Sequence, residues 1–94
     1  MRRAYFIGLD VHSSFCEGGY LDELGGEKGS FRTATAIPEL VEAIEKVPRP
    51  RKLVMEEGPL ADWLSRHLWD HVDELVSCDP HRNALDIPVP GRRP

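Results

Sequence analysis

The sequence predicts an α/β domain built on a mixed sheet, with elements in the order βββαβαβ. Three observations point there. An apolar, aromatic-rich run opens the chain at residues 4–11, and a glycine-rich turn at 24–29 separates two further strand-like stretches. After Ala36 the apolar period then changes from that of a strand to that of a helix. Strands joined by helical crossovers should run parallel, and the opening three, joined by short connections, should form an antiparallel meander.

Each element has its own justification. Residues 4–11 are continuously apolar and branched or aromatic up to Asp10, the composition of a central strand covered on both faces. Between residues 13 and 22, Phe15, Cys16, Tyr20 and Leu21 are strand-like, while Gly18-Gly19 suggests a bulge or a close backbone approach. Residues 30–35 supply a third strand containing Phe31 and Thr33. Ile37, Leu40, Val41, Ile44 and Val47 fall at helical spacing, with Pro38 at an early helical position and Glu39 and Glu42 near the start. Pro48 and Pro50 stop that helix. Residues 52–57 read as a fourth strand around Leu53, Val54 and Met55. Gly58-Pro59 breaks it and begins a second helix whose face is Leu60, Trp63, Leu64, His67, Leu68 and His71, with Trp63 in the core. Residues 74–78 form a short buried fifth strand. This is the element order of a ribonuclease-H-like fold truncated after its fifth strand. Residues 1–80 are the expected domain, and 81–94, rich in Pro and Arg, a disordered tail.

Composition narrows the function. A chain of 94 residues holds one small domain. No apolar run approaches the ~20 residues of a membrane span. The apolar stretch after Arg2 and Arg3 is too short for a signal peptide, so a cytoplasmic protein with no membrane partner is the default. A net charge of −4 argues against a general polyanion binder. It leaves room for a nucleic-acid enzyme whose carboxylates hold a metal, because the ion reverses the local sign of charge. Positive charge gathers at Arg49, Arg51 and Lys52 and again at Arg82, Arg92 and Arg93, where solvated surface fits better than phosphate contact. Cys16 and Cys78 read as buried free thiols, too few for structural zinc.

The candidate chemistry rests on carboxylates. Asp10 ends an apolar central strand, where desolvation demands a partner; magnesium is one, and the amides of the following turn are another. Glu56 and Glu57 close the fourth strand. If that strand lies parallel beside the first, one of these acids meets Asp10 at the carboxyl edge of the sheet, where α/β proteins keep their sites. Adjacent residues point to opposite faces, so only one can serve. Against this, acids also suit the start of the helix that follows. His67 and His71 are four apart, but Leu68 stands where a zinc-protease motif needs Glu, so they are expected to pack at the core edge. His12 would contact phosphate or cap the turn.

Residues 5–12 (Tyr5 through Asp10 to His12), Val54-Met55-Glu56-Glu57-Gly58 and Val76-Ser77-Cys78-Asp79-Pro80 together resemble the N-terminal part of the DEDD insertion-sequence transposases. These recombinases carry a RuvC-like nuclease domain and are related to the Piv DNA invertase. The resemblance covers residues 4 to about 84. It implies a ribonuclease-H-like fold, a divalent-metal (Mg2+) site, and metal-dependent cleavage and transfer of DNA strands. Asp10 matches the first acid and Glu56 the second, with Glu57 the fallback. It also implies DNA as a partner, with a guide RNA, a second copy of the chain or a full-length transposase as further ones. The family's last two acids, an Asp-x-x-Asp pair beyond the fifth strand, have no match here: after Asp79 the only acid is Asp86. The second domain with its serine nucleophile has none either, so the chain alone is expected to be inactive.

Two other classes fit part of the pattern. A non-catalytic interaction or dimerisation module derived from a transposase would use the sheet face that further helices would otherwise cover. Actin-like ATPases also begin with a strand ending Gly-x-Asp, as Gly8-Leu9-Asp10 does, but His12 stands where a glycine would let phosphate approach.

Overall fold

Residues 4–78 are described by a computed structural model. They form β1 (Tyr5–Val11), β2 (Phe15–Leu21), β3 (Glu27–Ala34), α1 (Ile37–Glu45), β4 (Arg51–Glu56), α2 (Ala61–Leu68) and β5 (Glu74–Cys78), with a 3-10 turn at Trp69–His71. One sheet runs in the order β3-β2-β1-β4-β5. β1 pairs antiparallel with β2 and parallel with β4; β2–β3 is antiparallel and β4–β5 parallel. The chain is thus an α/β protein with a five-stranded mixed sheet and two helices, and β1 is its central strand. The expected tail at 81–94 lies outside the described residues.

Both helices pack on one face of the sheet. The core joins Ile7 and Leu9 of β1, Cys16 of β2, and Leu53 and Met55 of β4 to Leu40 and Ile44 of α1 and Leu64 and Leu68 of α2. Burying each of these aliphatic side chains stabilises the fold by about 1.5–3 kcal/mol. Coverage of β1 on both faces, expected from its apolar run, is not what the described residues show. Phe6 is half-buried and Gly8 and Asp10 are exposed. Phe6 and Gly8 occupy the outward positions and so mask a strand that in fact alternates, with Ile7, Leu9 and Val11 inward.

One glycine of β2 and one of β3 act by close approach. Gly18 lies opposite Phe31 of β3, whose ring packs over it so that a Cβ there would run into the ring. Gly29, opposite Tyr20, repeats the device: a Cβ would meet the tyrosine ring at 2.8 Å. The irregularity in the β2–β3 pairing falls at Tyr20/Leu21, two residues later than Gly18-Gly19. The third strand also starts earlier than residue 30, because backbone pairing carries Glu27 opposite Leu21 despite its turn-like composition.

Arg51 departs most from expectation. It is only 5% exposed, not solvated with Arg49 and Lys52. Its Nε donates to the carbonyl of His71 (2.7 Å) and a terminal nitrogen to that of Val47 (2.9 Å), while its backbone N–H donates to Asp73 Oδ2 at 2.7 Å. Alternation explains this: Arg51 is inward with Leu53 and Met55, and its guanidinium reaches the carbonyls after α1 and in the 3-10 turn. Desolvation lowers the Arg51 pKa, with Arg49 nearby adding to the effect. Burial tends to raise the Asp73 carboxyl, but the Arg51 N–H and the Arg49 side chain outweigh it and hold it below the usual range.

Candidate functional site

The carboxyl ends of β1 and β4 set the site. In their parallel register Gly8 faces Val54 and Leu9 faces Met55. Leu9 and Met55 turn inward to the core, so Asp10 and Glu56, one residue further, share the outward face. Both are exposed. They line one cleft of about 770 Å3, together with His12, Ser13, Glu57 and Cys78. Glu57, just past β4, donates its backbone N–H to the Cys78 carbonyl at 2.7 Å and so fixes the rim of the cleft.

The β1–β2 hairpin adds a second arrangement around the same aspartate. Asp10 lies directly opposite Glu17. His12, two residues along, returns to the outward side, and its Nε2 is 3.1 Å from Asp10 Oδ2. Ligand atoms of Asp10, His12 and Glu17 all lie within 4.8 Å of one another. The imidazole stacks on Phe15, with ring centroids 4.4 Å apart and planes 23° from parallel. The Arg32 guanidinium lies 4.1 Å from the Phe15 ring centroid and 3.8 Å from Glu17.

Of the residues singled out in the sequence, Asp10, Glu56, Glu57 and His12 gather at one cleft. His67 and His71 do not converge. His67 is exposed rather than packed at the core edge, with Nδ1 2.9 Å from the Trp63 carbonyl and its ring against Trp63. His71 is half-buried and its Nδ1 lies 2.9 Å from Glu45 Oε2. The physical reason is that α2 ends at Leu68, and the 3-10 turn takes His71 out of helical register with His67, toward α1. Trp63 packs against the core. Glu17 is the site residue missed. Only the exact length of the first hairpin finds it: a turn at residues 12–14 pairs position 10 with position 17.

The donors are suited to cations. Carboxylate oxygens match hard divalent ions such as Mg2+, and the imidazole adds a nitrogen donor at the hairpin side. No described helix is long and apolar enough to cross a membrane. Fold and site together define an α/β domain with a carboxylate-lined cleft at the carboxyl ends of two adjacent parallel strands. No protein-family model, curated protein or solved structure matches this chain.

Proposed function

We propose that this chain carries the opening part of a ribonuclease-H-like, RuvC-like nuclease domain of the kind DEDD transposases use on DNA, and that it does not cleave DNA alone. One observation supports the reading above the others: Asp10 and Glu56 leave the same face of adjacent parallel strands and line one cleft. In this reading Asp10 is the first acid and Glu56 the second, with Glu57 the alternative, and the two hold Mg2+. A divalent ion there would activate a water or hydroxyl and stabilise the leaving oxygen of a phosphodiester. Residues 80–94 offer only Asp86 as a further acid. Two carboxylates leave a magnesium ion largely hydrated and loosely held. DNA is the partner in this reading, with a guide RNA, a second copy of the chain or an intact transposase as further ones.

Mn2+ titration followed by NMR tests this. Amides at the ends of β1 and β4 should broaden together, with millimolar affinity; Asp10→Ala should abolish the effect and Glu56→Gln should abolish it at β4. Magnesium should compete. Broadening that ignores Glu56→Gln sinks the paired-acid reading. Nuclease assays with Mg2+ or Mn2+ should show no cleavage; cleavage lost on Asp10→Ala would mean that another protomer or Asp86 completes the site.

The second reading, a dimerisation module, is favoured by the sheet face opposite the helices. Phe6, Leu21 and Val54 lie there, with Leu21 37% exposed. Sedimentation at increasing concentration should then show a dimer that Val54→Glu dissociates.

A further inference from the structure

We propose that Asp10, His12 and Glu17 form a binding site for a divalent transition ion that accepts imidazole nitrogen, with Zn2+ or Co2+ as the matching chemistry. The site shares Asp10 with the nuclease reading but needs neither Glu56 nor nucleic acid, so it stands if that reading fails. Three features carry it.

The first is placement by the backbone. Asp10 and Glu17 are direct partners across the antiparallel β1–β2 pair, and His12 follows Asp10 by two residues. Strand alternation therefore delivers Asp10 and Glu17 to one side of the hairpin, and His12, the first residue of the turn, is held beside them by its N–H bond to the Phe15 carbonyl at 2.9 Å. The second is distance. Ligand atoms on one ion with bonds of about 2.1 Å are separated by roughly 3.4 Å in a tetrahedral set. Here His12 Nε2 and Asp10 Oδ2 are already 3.1 Å apart, and all three donors fit within 4.8 Å. The three residues are exposed, so small side-chain rotations close the set and leave a coordination position open to water or ligand.

The third is preorganisation of the nitrogen donor. Phe15 holds the imidazole plane by stacking, and Arg32 lies against the same phenyl ring. The imidazole thus pays little ordering entropy when its Nε2 turns to a metal. Among the described residues the cation paired with Glu17 is Arg32, at 3.8 Å with both side chains more than half exposed, a pair worth little in water. A nitrogen donor between two carboxylates also sets selectivity. Magnesium prefers oxygen and its own waters, whereas affinity for mixed N/O sites rises through Co2+ to Zn2+.

The test is Co2+ titration of the full 94-residue chain, freed of metal with a chelator, read by visible absorption and by Zn2+ competition. One Co2+ per chain should bind, Zn2+ should displace it, and tenfold more Mg2+ should not. His12→Phe and Glu17→Gln should each weaken binding at least about tenfold, since even outer partners of ligands cost that much. Glu56→Gln should leave Co2+ affinity unchanged, and far-UV circular dichroism should show all variants folded because the substituted side chains are exposed. Binding that survives His12→Phe belongs to another histidine and overturns the assignment. So does affinity no tighter than millimolar. Loss in Glu56→Gln equal to that in His12→Phe would put the ion between β1 and β4, overturning this site while leaving the nuclease reading intact.

Discussion

Replacing Arg51 by Met keeps a long, flexible side chain at a buried position and removes the guanidinium. In the native fold that group donates to two carbonyls, His71 at 2.7 Å and Val47 at 2.9 Å. Hydrogen bonds from a charged donor contribute about 1.5–3 kcal/mol each, so their loss alone would cost about 3–6 kcal/mol. Met partly offsets this, because the buried guanidinium already bears a desolvation cost, visible as its lowered pKa. The backbone bond from Arg51 N–H to Asp73 survives the substitution. A net loss of about 2–4 kcal/mol follows. Spread over the 75 residues from 4 to 78, ordinary stability is about 4–11 kcal/mol, so the change is a large fraction of the whole.

Urea denaturation is the assay. With a slope of about 1–1.5 kcal/mol/M for so small a domain, the midpoint should fall by roughly 2 M. Arg51→Lys should lose most of the same amount, since one ammonium cannot reproduce a planar fork that reaches two separate acceptors. A midpoint shift below about 0.4 M in Arg51→Met would refute the reasoning, because the two bonds would then merely balance the desolvation of the charge.

Two further outcomes concern stability. Asp73 and Asp22 both have folded-state pKa values below their unfolded ones. For Asp22 the causes are the Gly26 N–H bond first, acting against burial, then the Leu24 N–H and Lys28. The unfolded chain therefore takes up protons first on acidification. Their stabilisation is complete above the ordinary carboxyl value of about 3.9 and is lost as pH falls through the lower folded values. Urea midpoints measured from pH 6 down to pH 2 should drop less steeply below pH 4 in Asp73→Asn than in the wild type; parallel curves would contradict this. Gly18→Ala should destabilise by about 1–3 kcal/mol through its clash with the Phe31 ring, and by much less in a Phe31→Ala background. Additive effects in that double-mutant cycle would show that the ring does not rest on Gly18.

Much of the fold was legible because its signals were periodic. The helical spacing of Leu40, Ile44 and Val47 and the stop at Pro48 place α1, and residues 74–78 match β5 residue for residue. Gly18-Gly19 announced a bulge or a close backbone approach; the irregularity falls at Tyr20/Leu21, and what packs on Gly18 is the Phe31 ring. What failed were positions where composition and geometry part company. In β1, Phe6 and Gly8 disguise an alternating strand as a doubly buried one. At Arg51 a charged residue type sits at an inward register position, and only the carbonyls left free after α1 and in the 3-10 turn make its burial tolerable. Neither acceptor lies on β4, so no local pattern could point to them. The site divided along the same line. Asp10 and Glu56 follow from strand order and register. Glu17 required the exact length of the first hairpin, which a run of polar residues at 12–14 does not advertise.

Asp10 stands where the two halves of the sheet meet, and this is why more than one arrangement converges on it. To one side the antiparallel β1–β2 pair brings Glu17 opposite and returns His12 to the same face. To the other, the parallel β1–β4 pair brings the end of β4 level with the end of β1. A central strand with unlike neighbours is what allows both, since a strand inside a purely parallel sheet would have crossovers on either side and no tight hairpin to carry a histidine back. The exposed carboxylate is left without a guanidinium or ammonium partner among the ion pairs of the described residues; its partner is His12. Glu45 likewise meets an imidazole, that of His71, while other acids meet Lys or Arg: Asp62 with Arg66, Asp73 with Arg49, Glu74 with Lys52. The contrast is in the chemistry of the partner. Lysine and arginine only neutralise a carboxylate, whereas an imidazole can join it in holding an ion.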